Sequence, residues 1–338
     1  MRKRIEPIVV LGLAVAALAV THVYTLLYTP ASREGSTVVV TVPKGASFRV
    51  VANGLKAAGV VRDTRGVTLA AGMKNAYTKI KAGEYELDSS MAPVEVLDRL
   101  VSGSTRQYPV TFPEGYNAKE MADTLERAGL AGREEFVGRA GDRALASSLG
   151  LDGPTLEGYL FPDTYSLTKG MSVDDIIVAM VTRFKEVYAG ELRDTARAKG
   201  LTMREVVTLA SIIEKEAGTQ TEMASISAVF RNRLKKGIPL QSDPTVIYGI
   251  KDFDGNLTRA HLRTRAPYNT YTNYGLPPGP IGNPGRSALH AALNPSGEGY
   301  LYFVSRNDGT HHFSSSLAEH NRAVDYYQRG KGSRRPNG

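Results

Sequence analysis

"TMREVVTLASIIEKEAG", residues 202–218, is an apolar helical run that finishes on two glutamates. Thr202, with Glu205 three residues on, forms a capping box and fixes where the helix starts. Acidic side chains favour the first turn of a helix, where the dipole stabilises them, yet Glu214 and Glu216 stand in the last turn before Gly218. At about 100° per residue, Val206, Leu209, Ala210, Ile213 and Ala217 make one apolar face. The two glutamates fall roughly 80° to either side of its centre, each at an edge of the buried stripe. Periodicity does not choose between a solvated pair and one carboxyl placed for chemistry.

Downstream, "AVFRNRLKKGIPL" (228–240) reads as a helix closed by Gly237. From Gln241 the chain reads mostly as loop: "QSDPTVIYG" (241–249) and "RAPYNTYTNYGLPPGPIGNPG" (265–285), then a short helix at Arg286 to Leu293 and a strand "YLYFVSR" (300–306). A last helix begins near Ser315 and runs to a basic tail. Upstream, Met171 to Tyr188 is amphipathic, capped by Ser172 with Asp174 and Asp175 in its first turn. The 34 glycines and 17 prolines agree with a loop-rich architecture. Long loops of this composition are more often functional than incidental.

Two earlier stretches match each other, "TVPKGASFRVVANGLKAAGVV" from Thr41 and "TFPEGYNAKEMADTLERAGLA" from Thr111. At a constant offset of 70 the pairs Thr41/Thr111, Pro43/Pro113, Gly45/Gly115, Ala52/Ala122, Leu55/Leu125, Ala58/Ala128 and Gly59/Gly129 are identical. The pattern predicts a duplicated strand–turn–helix unit, which serves equally as a polymer-binding module or as a spacer.

The N-terminus carries "MRKR" before "IVVLGLAVAALAVTHVYTLLY" (8–28), a run without a formally charged side chain and long enough to span a bilayer. The basic flank predicts a cytoplasmic N-terminus. Ala17-Leu18-Ala19 imitates a signal-peptide cleavage site, but the apolar run continues past it to Tyr28, which favours an uncleaved anchor. The two termini account for all but about two of the net +8 charges, so no basic stripe remains for nucleic acid. Without cysteine, disulfides, thiolate metal sites and a cysteine nucleophile are excluded.

The remaining inventory suits carbohydrate chemistry. Gln241, Asp243 and Asn269 offer amides and a carboxylate, Tyr271 a phenol, and Tyr159, Tyr165, Tyr248 and Tyr274 flat faces for sugar rings. The histidines at 22, 261, 290, 311, 312 and 320 lack metal-ligand spacing, and there is no Gly-x-Ser-x-Gly elbow or phosphate-cradling loop. No metal or cofactor is expected.

"EGYLFPDTY" (157–165), "ASIIEKEA" (210–217), "VFRNRL" (229–234), "LQSDPTVIYG" (240–249), "YNTY" (268–271), "GLPPGPI" (275–281) and "YLYFV" (300–304) together closely resemble, in order, the membrane-anchored endolytic murein transglycosylases, the YceG-like family. "IKAGEYEL" (80–87) resembles that family's LysM-like region. The resemblance implies an α+β protein with an N-terminal membrane anchor, a small duplicated βα (LysM-like) module and a mixed helical, loop-rich catalytic domain. Its expected divisions are a cytoplasmic N-terminus (1–7), transmembrane helix (8–28), linker (29–36), LysM-like module (37–105), second βα copy (106–150), transglycosylase domain (151–327) and basic tail (328–338).

The family's catalytic acid, the second glutamate of Glu-Lys-Glu, corresponds to Glu216; Gln241, Asp243, Thr245, Tyr248, Asn269 and Tyr271 become candidate substrate contacts. Ser242 stands where threonine also occurs in the family. The implied reaction cuts nascent peptidoglycan strands between N-acetylmuramic acid and N-acetylglucosamine and leaves 1,6-anhydro ends. The implied setting is the plasma membrane, single-pass, with the catalytic domain outside and cell-wall synthases as candidate partners. Two alternatives stay open: a non-catalytic anchored glycan-binding scaffold, and a muramidase using Asp243 as a second carboxylate.

Overall fold

The computed structural model describes residues 7–330; the basic residues of "MRKR" and positions 331–338 of the expected tail lie outside the described residues. Helices dominate, with short strands only in two-stranded pairs, and the chain divides into two compact units.

Among the described residues, the smaller unit holds 7–109 with 166–171. Its first helix, Pro7–Tyr28, includes the expected apolar span, and among the described residues it alone is long and apolar enough to cross a membrane. Strand Thr37–Val42 pairs antiparallel with Gly83–Asp88, Thr37 opposite Asp88 and Val42 opposite Gly83. Alternation along Gly83–Asp88 turns Tyr85 and Leu87 inward. There they meet helices Phe48–Ala57, Thr64–Met73 and Pro93–Ser102 through Leu55, Val67, Leu97 and Leu100. The expected linker 29–36 is tied down at its middle and at its end, both times to Ser89. Ser32 N–H donates to the Ser89 carbonyl at 2.9 Å, and Ser36 N–H to the Ser89 hydroxyl at 2.9 Å.

The larger unit holds 110–165 and 172–330 of the described residues, so residues 110–150 of the expected second copy fall within it. Both matched stretches run strand, turn, helix: Thr37–Val42 then Phe48–Ala57, and Tyr108–Thr111 then Ala118–Arg127. Their shared glycines take left-handed backbone, Gly45 and Gly115 at φ 76° and 81°, Gly59 and Gly129 at 71° and 64°.

Helix Met203–Glu216 is the axis of this unit. Thr202 accepts from Glu205 N–H at 3.2 Å, and Glu205 accepts the Thr202 N–H at 2.8 Å, as the capping box requires. The expectation of a single apolar face fails: the eight residues Val206 to Ile213 are all buried. Helices Glu191–Ala198, Met223–Lys236, Asp243–Gly249 and Arg286–Leu293 contact it, so a wheel drawn for a half-exposed helix does not apply. Ala217, expected on the apolar face, has already left the helix with ψ 121°.

The loop Gly275–Gly285 is largely buried, which demands partners for its backbone. Ile281 N–H donates to Ser211 Oγ at 3.1 Å, Asn283 N–H to Tyr116 O at 2.8 Å, and Gly115 N–H to Asn283 O at 2.8 Å. Gly158, at φ 91°, packs so closely that a Cβ would meet Pro280 at 2.5 Å and Val207 at 2.7 Å. Gly158→Ala is expected to misplace this loop and lower the melting temperature of the purified protein, with the strained backbone and the overlap acting together.

Candidate active site

The fold separates the two glutamates. Glu214 turns toward the buried loop and accepts the Gly285 N–H at 2.9 Å; burial raises its pKa, opposed by that hydrogen bond, with Glu114 nearby adding to the rise. Glu216, two residues on and so on the opposite flank, enters a cleft of about 280 Å3 lined by Arg233, Leu240, Gln241, Asp243, Tyr271, Phe303 and His320. Burial pushes its carboxyl above the ordinary carboxylate range. Ser242 Oγ donates to Glu216 Oε1 at 2.6 Å and acts against that rise, the Asp243 charge reinforces it, and His311 and Arg233 oppose it.

The far wall was expected to be loop, but Asp243–Gly249 forms a short helix with Pro244 in its first turn. Ser242 occupies the N-cap position without capping, because its hydroxyl is committed to Glu216. Gln241 sits beside it in left-handed backbone, φ 52°, held by its N–H to Thr270 O at 3.1 Å. Tyr271 donates to Asp243 Oδ1 at 2.6 Å. The exposed Asp243 carboxylate and the half-buried Tyr271 phenol therefore face the cleft as a pair.

Three expected contacts lie elsewhere. Thr245 is fully buried and spends its hydroxyl on Ser242 O at 2.6 Å and Thr270 Oγ1 at 2.8 Å. Asn269 is buried, its amide donating to the carbonyls of His261, Leu262 and Thr264 while its oxygen accepts Tyr271 N–H at 2.9 Å. Tyr248 packs on Tyr268 and points its hydroxyl at Glu157 Oε2, 3.2 Å away. All three hold the loops that carry Gln241, Asp243 and Tyr271; none of the three lines the cleft. The tyrosines offered as sugar platforms divide similarly. Tyr159 is core against Phe184, Tyr165 is tied to Phe161 O at 2.7 Å, and only Tyr274, 73 % exposed, presents a free surface.

Arg233, His320 and Phe303 complete the cleft and were missed, although Arg233 and Phe303 fall inside quoted motifs. Arg233 is buried, donating from Nε to Leu301 O at 2.7 Å and from Nη1 to Leu240 O at 2.8 Å, with its guanidinium 5.2 Å from the Tyr302 ring centre. His320 stacks on Tyr302 at 5.1 Å; burial and the charges of Arg233 and His312 push its pKa down, favouring the neutral imidazole. Phe303 comes from the hairpin Tyr302–Ser305/His311–Ser314. That hairpin is clamped to the segment after Glu216. Glu222 accepts His311 N–H and pairs with His311 Nδ1, both at 2.9 Å, and a Cβ on Gly218 would lie 2.1 Å from Gly309 O.

Outside the cleft lining lies another buried carboxyl. Glu157 accepts from Ala118 N–H at 3.1 Å and Asn283 Nδ2 at 2.9 Å, and burial raises its pKa to about 7. A folded pKa above the unfolded value means the folded state binds more protons between pH 4.5 and 7. Stability is full below pH 4.5 and is lost as pH rises to 7, by about 3 kcal/mol from this group. Glu157→Gln, which has no proton to lose, is expected to remove this part of the slope in urea titrations between pH 5 and 8. An unchanged slope would contradict the assignment.

The comparisons agree on one family. The family model described as the YceG-like family matches residues 40–326. An endolytic murein transglycosylase of Bacillus subtilis is 32% identical over 321 residues, 89% of this chain and 88% of that protein. One from Streptococcus pneumoniae is 31% identical over 325 residues, 85% of this chain but 58% of its own length. The crystal structure of a yceG-like protein from Listeria monocytogenes matches with a TM-score of 0.58 and 32% identity, over 85% of this chain and 98% of that one. With the family model spanning residues 40–326 and a relative of this identity covered over most of both lengths, the chain belongs to the YceG-like family.

Proposed function

We propose that the protein is an endolytic peptidoglycan lytic transglycosylase with Glu216 as its acid and base. The supporting observation is the Glu216 carboxyl, raised by burial and opening into a polar cleft beside Asp243. Glu216 in its protonated form donates to the oxygen linking N-acetylmuramic acid to N-acetylglucosamine. The C1–O bond breaks and the N-acetylglucosamine side leaves as an alcohol. Positive charge builds on the muramic acid ring, where the Asp243 carboxylate in the same cleft stabilises it. The Glu216 carboxylate then takes the proton of the muramic acid's own 6-hydroxyl as that oxygen closes on C1. The acid is regenerated, the new end is 1,6-anhydro, and no water is consumed.

Helix Ile8–Tyr28 as a single-pass anchor holds the catalytic unit near the plasma membrane, where nascent strands and their synthases are found. The strand–helix–helix–strand order over 37–88 supports a LysM-like, glycan-holding role for the small unit. Purified un-crosslinked glycan incubated with the protein is expected to yield internal fragments one water lighter than hydrolysis products by mass spectrometry. Intact glycan that nonetheless binds would leave only the scaffold role.

Asp243 in the same cleft supports a second reading, hydrolysis with Asp243 activating water. Ser242→Ala probes the acid itself. Removing a hydrogen bond that favours the charged form raises the Glu216 pKa further, so the high-pH limb of the rate profile is expected to move upward. A limb that stays in place would detach it from Glu216.

A further inference from the structure

The apolar helix does not end in a free tether. Its 21 residues from Ile8 to Tyr28 rise about 31 Å, the thickness of a bilayer's hydrocarbon core, so its last turn reaches the membrane surface. That last turn is also part of the folded small unit. Leu27 is 5 % exposed within the unit's core, and Gly66 lies so close to the Leu26 carbonyl that a Cβ there would approach it to 2.3 Å. The polypeptide continues along the unit, with Arg62 Nε donating to Ala31 O at 3.4 Å.

Helix Thr64–Met73 is therefore held within side-chain reach of the point where the anchor leaves the lipid. Along it runs a groove of about 800 Å3, bounded on one side by Leu26 and on the other by Leu69, Gly72, Met73 and Tyr77. Thr64, Arg65 and Thr68 line its polar part, and its apolar part is open: Met73 is 69 % and Tyr77 45 % exposed. Arg62 and Arg65 flank the start of the same helix, Arg65 paired with Asp63. Tyr24 and Tyr28, with ring centres 4.9 Å apart, mark the end of the anchor. Apolar side chains beside interfacial tyrosines and arginines are the composition of a surface lying in the headgroup region, with chains beneath and phosphates at the rim.

We propose that the face carrying Leu69, Met73 and Tyr77 is a lipid-contact surface, seated on phospholipid of the leaflet from which the anchor emerges. The small unit is then fixed against the bilayer. The proposal rests on the anchor reading of Ile8–Tyr28, and its test separates the two.

The chain has no cysteine, so single cysteines can be introduced without removing others. The full chain, reconstituted in phosphatidylethanolamine–phosphatidylglycerol vesicles, would carry a nitroxide at M73C, at V15C within the anchor or at V178C on the larger unit. Collision with lipid-soluble oxygen and with a water-soluble nickel chelate reports the surroundings of each label. The expected result is an oxygen-to-nickel ratio at M73C several-fold above V178C and approaching V15C. A ratio at M73C equal to V178C, with V15C lipid-embedded, overturns the contact surface and leaves the anchor standing. Water exposure at V15C overturns both.

Discussion

Glu216→Gln is expected to lower glycan cleavage by about a hundredfold to ten-thousandfold, the range that a positioned general acid contributes. The amide keeps an oxygen to accept the Ser242 hydroxyl, so the cleft retains its geometry and melting should be unchanged. Glu214→Gln is the matched control. Its amide oxygen still accepts the Gly285 N–H, and its side chain faces the buried loop, so turnover should remain near the parent level. Release of soluble fragments, measured beside thermal melting for both variants, separates lost chemistry from lost fold. Equal losses in the two variants would remove the distinction drawn between them.

Arg233→Met is expected to cost about 4 kcal/mol of stability, because it strips donors from buried carbonyls as well as removing a buried cation. The acceptors are Leu301 O and Leu240 O, which lead into the hairpin strand and the Asp243 helix, so both walls of the cleft lose their tie. Arg233→Lys should rescue little. An ammonium cannot reproduce the planar fork that serves both carbonyls, nor the stacking on Tyr302. Urea midpoints of the parent and both variants test this, and a shift within experimental error in Arg233→Met would refute it.

The sequence made some of this legible and left other parts hidden for physical reasons. Local signals read well: the Ser172 and Thr202 caps, the left-handed stop at Gly237 and the helix Arg286–Leu293 are all present. Each depends on residues within one turn of one another. The choice between Glu214 and Glu216 depends instead on what each meets, Gly285 in one case and Ser242 in the other, and no helical wheel carries that information.

Thr245 and Asn269 show the same limit from the other side. An amide in a proline-rich loop suits a sugar contact or a backbone clamp equally well, and here burial makes it a clamp. Glu157 stood first in a quoted motif without an assigned role, because its partners Tyr248 and Asn283 lie 91 and 126 positions away. Arg233 inside a quoted motif and His320 among the histidines without metal spacing carry no local signal, and only packing brings them to the cleft.

The most direct test of the Glu216 mechanism is cleavage in heavy-oxygen water, with products analysed by mass spectrometry. Ring closure by the muramic acid's own hydroxyl takes no oxygen from solvent, so the new ends should carry none of the label. Labelled reducing ends would contradict the account, and would turn Asp243 from a charge beside the transition state into the base of a hydrolase.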